Sequence, residues 1–168
     1  MYDEASSQRT RVSKDSLKVE ALGAIDELNS FLGVTLAFSN FPEITTYLKE
    51  VQRNLLTIGS ITAGSKLGFY SSSTKKLEKI IDRFEGELPV LSNFVLPGGT
   101  VISSHLQYAR VLARRAERAV VSLAKIDMVK SQILAYLNRL SDFLFMLARY
   151  ANFEAKVTEE IWSGKKKK

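Results

Sequence analysis

The stretch that decides the fold covers residues 94–118, FVLPGGTVISSHLQYARVLARRAER. A Pro-Gly-Gly turn precedes Thr100, whose hydroxyl suits a helix N-cap, and neither Gly nor Pro follows before residue 126. The sequence therefore predicts a long central helix from Val101 to about Lys125. Its apolar residues recur at every third or fourth position, as on one face of an α-helix: Leu106, Ala109, Ala113, Ala116, Val120 and Leu123.

A cationic stripe runs along the same predicted helix. Arg110, Arg114 and Arg118 are spaced at i, i+4 and i+8, where like charges repel by about 0.2–0.5 kcal/mol per pair in an isolated helix. Arg at all three positions, rather than Lys, favours a phosphate or carboxylate partner, because the planar guanidinium matches both groups. The alternative is a solvated helix face that also carries Glu117.

The rest of the chain has the same helical periodicity. A first helix is predicted over about 14–39, with Ser13 or Asp15 as its cap, and a second over 42–63, with Pro42 in its first turn. Thr74 is expected to cap a short third helix that ends near Gly86, and residues 87–99 form an irregular connection. Asp127 is expected to cap the last helix, which continues to about Ala155.

No segment alternates apolar and polar residues as a strand would, so the predicted fold class is all-α. Four long helices and one short helix indicate a five-helix bundle of ferritin-like architecture. Residues 13–163 are expected to form a single domain, preceded by a flexible arm at 1–12 and followed by a disordered lysine tail at 164–168.

Composition narrows the function classes. The chain has no Cys, which excludes disulfides, thiolate metal sites and thiol nucleophiles. Residues 165–168 carry four of the six net positive charges, and the near-neutral remainder does not indicate nucleic-acid binding. No secretory signal or long apolar run is recognisable, so we expect a cytoplasmic protein without a membrane span.

Several kinds of site are absent from the sequence. No Glu-x-x-His and no His pair occurs, which counts against di-iron and zinc sites, and there is no P-loop. The single histidine, His105, is expected to be a packing or surface residue. Polar residues do interrupt the apolar pattern of the first and last helices: Asp26, Glu27, Asn29, Ser30, Asn138, Arg139, Ser141 and Asp142. Either they form a structural network or, with the arginine stripe, they form a nucleotide site without a P-loop.

Four segments, in order, carry a resemblance to a known family: RVSKDSLKVEALGAIDELNSFLG, FVLPGGT, ARVLARRAERAVV and YLNRLSDFLFMLAR. Together they resemble the PduO-type ATP:cob(I)alamin adenosyltransferases, or corrinoid adenosyltransferases, over about residues 11–162. The resemblance implies a five-helix bundle, a homotrimer with active sites at the subunit interfaces, and the substrates ATP, with Mg²⁺, and cob(I)alamin. A reductase and a B12-dependent mutase are the protein partners that it suggests.

The resemblance also implies roles for individual residues. The ATP-binding set would be Arg11, Lys14, Arg114, Arg115, Glu117, Arg118 and Asn138, with no side chain predicted to bind a metal and with Mg²⁺ on the ATP phosphates. Asp26 and Arg110 would form an ion pair across the subunit boundary. Phe94 would lie beneath the corrin ring and keep the lower axial ligand off the cobalt, and Phe145 would be a second corrinoid-facing aromatic residue. The catalytic residues implied are Arg114, Phe94, Asp26 and Arg110.

The implied reaction needs no side-chain nucleophile, since cob(I)alamin itself attacks the 5′-carbon of ATP and triphosphate leaves. An alternative is a catalytically impaired corrinoid- or nucleotide-binding trimer that acts as a B12 carrier. A helical interaction protein would instead leave Arg110, Arg114 and Asn138 solvated and far apart. The chain departs from the family in two places: the usual Thr-x-Thr-Gly-Asp-x-Gly-x-Thr stretch is not present, and Gln107 stands where many members have His.

Overall fold

The structure, a computed structural model, describes Ser13 and residues 16–163, and five helices form this part of the chain. The helices are α1 (Leu17–Ala37), α2 (Pro42–Ala63), α3 (Ser71–Glu87), α4 (Val101–Leu123) and α5 (Ser131–Glu154). The prediction of an all-α five-helix bundle is confirmed. The arm predicted at 1–12 and the tail predicted at 164–168 lie outside the described residues. None of the helices in the described part is long and apolar enough to span a membrane.

Helix α4 is the centre of the bundle, with α1 packed on one side and α5 on the other. Helix α2 packs against α1, and α3 packs against α5. The apolar stripe predicted for α4 is confirmed, because all six of its residues are at most 2% exposed. Helix α5 has the largest share of buried residues among the five helices. The apolar stripe predicted from its sequence is buried: Ile133, Leu137, Leu140, Leu144, Leu147 and Ala151.

The Pro-Gly-Gly turn fixes where α4 begins relative to α5. Gly99 has φ 101°, a conformation that favours glycine, and a Cβ at this position would collide with the amide of Asn152. That amide accepts a hydrogen bond from the Thr100 backbone N–H (2.9 Å) and donates one to the Gly98 carbonyl (3.1 Å). The Thr100 hydroxyl accepts from the Ser103 N–H (3.1 Å), which confirms the predicted N-cap.

Three other predicted caps were wrong. Helix α1 is capped by Ser16, whose hydroxyl accepts from the Val19 N–H, while Ser13 contributes its backbone carbonyl to the Ser16 amide instead. Helix α3 begins at Ser71, three residues before Thr74, and no side chain caps it. Thr74 therefore lies within the first turns of the helix, where it is buried. Asp127 accepts from the adjacent Met128 N–H (2.8 Å), which occupies its carboxylate before α5 begins at Ser131.

Candidate active site

The antiparallel packing of α4 and α5 brings two of the predicted nucleotide-site residues, Glu117 and Asn138, into contact. The Asn138 amide of α5 donates to the Glu117 carboxylate of α4 (2.7 Å). Two turns nearer the other end, the Arg110 guanidinium lies over the Phe145 ring, with 6.0 Å from its central carbon to the ring centroid. Arg114 lies between these two contacts on α4. These residues thus lie along the line of contact between the two helices, which we call the α4–α5 groove.

Arg114 and Arg118 are exposed cations that pair with no anion among the described residues. Neither side chain makes a hydrogen bond or ion pair with any residue that the structure describes. Arg118 lines a cleft of about 340 Å³ between α1 and α4, in which Glu20 of α1 pairs with Arg115 rather than with Arg118. Two unpaired guanidinium groups offer donors in a planar geometry that matches phosphate oxygens. This part of the surface can therefore bind a polyanion.

The electrostatics at Arg110 indicate the same need for an anion. Burial, and secondly the positive charge of Arg114, lowers the pKa of the Arg110 guanidinium from its ordinary value. Its Nε donates to the side-chain oxygen of the buried Gln107 (3.1 Å), which orients the guanidinium without neutralising it. Sequence reasoning treated Gln107 only as a departure from the family, although its i, i+3 spacing from Arg110 was a signal for this contact.

Arg115 has a different environment from the other arginines of the stretch. Its guanidinium forms ion pairs with two carboxylates of α1, Glu27 (3.0 Å) and Glu20 (3.9 Å). These contacts attach α4 to α1 and neutralise Arg115 within the chain. The assignment of Arg115 to ATP binding stays a prediction, since a side chain so engaged would have to share its donors with a ligand.

The polar residues of α5 divide between the two interpretations that the sequence left open. Arg139 pairs with Asp142 of the next turn (2.9 Å) and with Glu78 of α3 (3.5 Å), which is a structural network between α3 and α5. Asn138 instead turns toward α4 and Glu117. Arg139 thus joins α5 to α3 and Asn138 joins α5 to α4, and the assignment of Asn138 to ATP binding stays a prediction.

Asp26 lies on the side of α1 that faces α2. It is exposed, and it lines a groove of about 330 Å³ between α1 and α2, whose other lining residues are Leu22, Ile25, Asn29, Leu55, Leu56, Gly59, Ser60 and Ala63. Asp26 makes no ion pair within the described residues. Two side chains of this groove have unfavourable surroundings. Leu56 is 61% exposed to solvent, and the buried Oδ1 of Asn29 has no hydrogen-bond partner among the described residues. Asp26 and Arg110 therefore do not meet within one chain.

The two predicted corrinoid-facing residues occupy different surroundings. Phe94 is 78% exposed in the connection between α3 and α4, and its ring contacts Trp162 edge-on, with 6.5 Å between centroids. Phe145 is half-buried beneath Arg110. No ring contact joins Phe94 to Phe145 in the part of the chain that the structure describes. Sequence reasoning missed Trp162 as the neighbour of Phe94.

The remaining candidates have no ligand role within the described residues or lie outside them. The His105 ring packs edge-on against Phe31 (5.8 Å) and Phe38 (5.0 Å), and its buried Nδ1 has no partner, as in a packing histidine. Arg11 and Lys14, predicted to bind ATP, are not among the residues that the structure describes. Those residues also contain no group of three His, Cys, Asp or Glu side chains suited to a metal ion.

Known proteins give a consistent comparison with this fold and site. The sequence model of the cobalamin adenosyltransferase family matches residues 4–151. The chain belongs to the cobalamin adenosyltransferase family. It is 42% identical over 150 residues to the corrinoid adenosyltransferase of Bacillus subtilis, a match that covers 84% of this chain and 78% of that protein. It is 34% identical over 155 residues to the cobalamin adenosyltransferase of Cupriavidus metallidurans, covering 91% and 84%.

Solved structures of family members have the same fold. A variant PduO-type ATP:corrinoid adenosyltransferase from Lactobacillus reuteri, complexed with cobalamin and ATP, matches with a TM-score of 0.88 and 33% identity, covering 91% of this chain and 90% of that one. A second variant, complexed with ATP, matches with a TM-score of 0.87 and 34% identity, covering 90% of each chain. The resemblance drawn from the four sequence segments is thereby confirmed.

Proposed function

We propose that this chain transfers the 5′-deoxyadenosyl group of ATP to cob(I)alamin, giving adenosylcobalamin and triphosphate. The observation that carries the proposal is that Arg114 and Arg118 of α4 pair with no anion in the described part of the chain, while Asn138 of α5 is held beside α4 by Glu117. Membership in the cobalamin adenosyltransferase family supplies the reaction class. Unpaired guanidinium groups suit a reaction in which a triphosphate leaves.

In this proposal each part of ATP has a counterpart in the site. The triphosphate lies over Arg114 and Arg118, with Arg11 and Lys14 as further predicted donors. Asn138 donates its amide N–H to Glu117, which leaves its carbonyl oxygen to accept from the adenine amino group or a ribose hydroxyl. Mg²⁺ is carried by the phosphate oxygens, because the described residues offer no carboxylate cluster of their own.

The proposed step is a direct substitution at the 5′-carbon of ATP. An electron pair of the Co(I) centre forms the cobalt–carbon bond, the carbon–oxygen bond to the triphosphate breaks, and the triphosphate leaves with that bond's electron pair. Cobalt is formally oxidised to Co(III), and no external oxidant or reductant enters the step. The protein aligns the two substrates and neutralises the charge that develops on the leaving group.

The family assembly proposed here is a homotrimer with its active sites between subunits. Asp26 has no cation and Arg110 has no anion within the described part of the chain, and an ion pair between neighbouring subunits satisfies both. The apolar groove beside Asp26, with its exposed Leu56, supports burial of the same surface. Such a contact joins two different surfaces, as the interfaces of a closed ring do.

The corrinoid, the partners and the location complete the proposal. Phe94 and Phe145 are proposed to face the corrin ring, where exposed aromatic rings provide apolar contact area. A reductase that supplies Co(I) and a B12-dependent mutase that receives the product are the protein partners expected. A cytoplasmic location is proposed because the reaction consumes ATP.

The activity can be tested directly against the carrier alternative, which the names of the relatives do not favour. The chain is mixed anaerobically with MgATP and chemically reduced cob(I)alamin, and adenosylcobalamin and triphosphate are measured. We expect the two products in equal amounts. If the chain binds both substrates and forms neither product, it is a carrier and the proposed activity is wrong.

A further inference from the structure

Phe94 lies on a short ribbon that the C-terminal segment forms with the connection before α4. The Leu96 N–H donates to the Glu160 carbonyl (2.8 Å), and the Trp162 N–H donates to the Phe94 carbonyl (2.8 Å). Val95 and Ile161 are directly opposite each other between these hydrogen bonds. Because side chains alternate along paired strands, Phe94 and Trp162 share one face of the ribbon, and their rings are in contact.

The other face of this ribbon carries Val95 and Ile161, and Ile161 borders a cavity. A cavity of about 480 Å³ is lined by the residues that lead into the ribbon and by Phe153 of α5; they are Leu88, Pro89, Val90, Leu91, Arg149, Phe153, Lys156, Val157, Thr158, Glu159 and Ile161. On that face Ile161 is 47% exposed, while Val95 is half-buried. Since Phe94 itself is 78% exposed, its position depends on the ribbon and on Trp162.

Arg149 of α5 attaches both strands of the ribbon to the bundle. Its side chain is 6% exposed, and its Nε donates to the Glu159 carboxylate (3.0 Å), just before the strand that contains Trp162. Its Nη2 donates to the Pro89 carbonyl (2.8 Å), on the segment that leads to Phe94. One buried guanidinium thus binds both segments. Removing its carboxylate leaves a buried charge without a counter-ion.

We propose that Arg149 and Trp162 are positioning residues for Phe94: Arg149 holds the ribbon through Glu159, and Trp162 sets the orientation of the Phe94 ring. The proposal rests on the proposed function, in which Phe94 lies beneath the corrin ring. Neither residue lies in the α4–α5 groove. Loss of either contact should therefore slow adenosyl transfer and leave MgATP binding intact.

The ribbon can be tested without any substrate, because Trp162 is the single tryptophan of the chain. We expect Glu159→Gln to increase the quenching of Trp162 fluorescence by acrylamide, since the released ribbon exposes the indole. Glu50→Gln removes a different surface ion pair, with Lys76 of α3, and should leave quenching unchanged. Unchanged quenching in Glu159→Gln would overturn the role of Arg149 whether or not the chain is an adenosyltransferase.

The effect on the reaction is tested with Trp162→Ala, Trp162→Phe and Glu159→Gln. We expect Trp162→Ala and Glu159→Gln to lower kcat about tenfold, since small misplacements of positioned groups lower rates by up to about 100-fold. KM for ATP should change by less than about twofold. Trp162→Phe should retain most of kcat, as it keeps an aromatic contact. Ile126→Ala, at an exposed apolar residue in the connection between α4 and α5, serves as the control.

A spectroscopic signature separates positioning from general structural damage. Electron paramagnetic resonance of cob(II)alamin bound with MgATP distinguishes cobalt with a lower nitrogen ligand from cobalt without one. We expect the fraction without that ligand to fall in Trp162→Ala as it does in Phe94→Ala. The proposal would be overturned if Trp162→Ala kept the wild-type kcat and the wild-type fraction of cobalt without the lower ligand. It would also be overturned if Trp162→Ala lost ATP affinity and thermal stability to the same extent as kcat. Absence of turnover in the wild-type chain would instead contradict the proposed function.

Discussion

Arg83 and Arg114 lie in two regions of this molecule with opposite surroundings. Arg83 donates to the Glu43 carboxylate (2.7 Å), which also accepts from the hydroxyls of Tyr47 (2.7 Å) and Tyr150 (2.9 Å). This Glu43 cluster joins α2, α3 and α5 with every charge paired. Arg114, in contrast, has no partner within the described residues. Where the fold supplies the carboxylate, an arginine stabilises the bundle, and where it supplies none, the arginine is available to a ligand.

The pKa shifts express the same difference. The hydrogen bond from Arg83 holds the pKa of Glu43 below its ordinary value, and that same bond raises the pKa of Arg83. In the α4–α5 groove the shift has the opposite sign, because burial and then Arg114 lower the pKa of Arg110. Opposite charges stabilise each other in the Glu43 cluster, whereas in the groove burial and, secondly, a like charge disfavour the charged guanidinium.

Arg114→Ala should have the largest effect on activity with almost no effect on stability. We expect adenosyl transfer to slow by about 100- to 1000-fold, because one donor aimed at a developing charge contributes about 3–4 kcal/mol to the barrier. The free energy of unfolding should change by less than about 0.5 kcal/mol, since the side chain has no partner in the described fold. Steady-state kinetics and urea unfolding measure the two effects. Arg53→Ala, an exposed arginine of α2, is the control; equal activity in both variants would contradict the assignment.

Asp26→Asn and Arg110→Ala test whether the groove is completed by a neighbouring subunit. Each substitution should weaken the trimer by at least about tenfold in dissociation constant, because truncating one member of a desolvated charge pair leaves the other unpaired. Sedimentation velocity over a concentration series measures the assembly. A monomeric wild-type chain with full turnover would contradict the inter-subunit pair.

Glu43→Gln should show the reverse behaviour to Arg114→Ala. We expect the free energy of unfolding to fall by about 1–3 kcal/mol, since three donors lose their charged acceptor. Adenosyl transfer per folded chain should stay within about twofold of wild type, because Glu43 lies outside the α4–α5 groove. Urea unfolding and initial rates at saturating substrates report both quantities. A stability equal to wild type would show that the Glu43 cluster is not a stabilising network.

The smallest expected effect is a pH dependence at Tyr150. Burial, followed by its hydrogen bond to Glu43, raises the pKa of Tyr150 to about 12 from its ordinary value of 10.0. The unfolded chain therefore loses this proton at lower pH than the folded chain does, and the free energy of unfolding falls as pH rises from 10 to about 12. Tyr150→Phe should make this decline shallower, as measured by urea unfolding across the range. Tyr70→Phe, at an exposed tyrosine, should not alter it.

The parts of this molecule that could be predicted from sequence are those that depend on local spacing. The Thr100 cap and the buried stripe of α4 follow from residues within a few turns of each other. The contact between Gln107 and Arg110 could also have been predicted, since the two residues are three positions apart on one helix. The predictions that Thr74 and Asp127 cap helices were wrong, because a polar side chain near a helix start can have another local partner or none.

The contacts that could not be predicted are those made between distant elements. Glu117 meets Asn138 only because the Gly99 turn sets the register of α4 on α5. Arg115 is paired by α1 rather than left in the groove, a distinction that the uniform run of arginines does not contain. The ribbon of Phe94 and Trp162 joins segments separated by α4 and α5, and no strand pattern marks either segment.

The central claim is that the unpaired arginines of α4 form a triphosphate site. Calorimetric titration of MgATP into the wild-type chain, Arg114→Ala and Glu43→Gln tests it most directly. We predict dissociation constants of roughly micromolar order for the wild type and Glu43→Gln, with binding at least about tenfold weaker in Arg114→Ala. Equal binding by the wild type and Arg114→Ala, or no binding by the wild type, would contradict the claim.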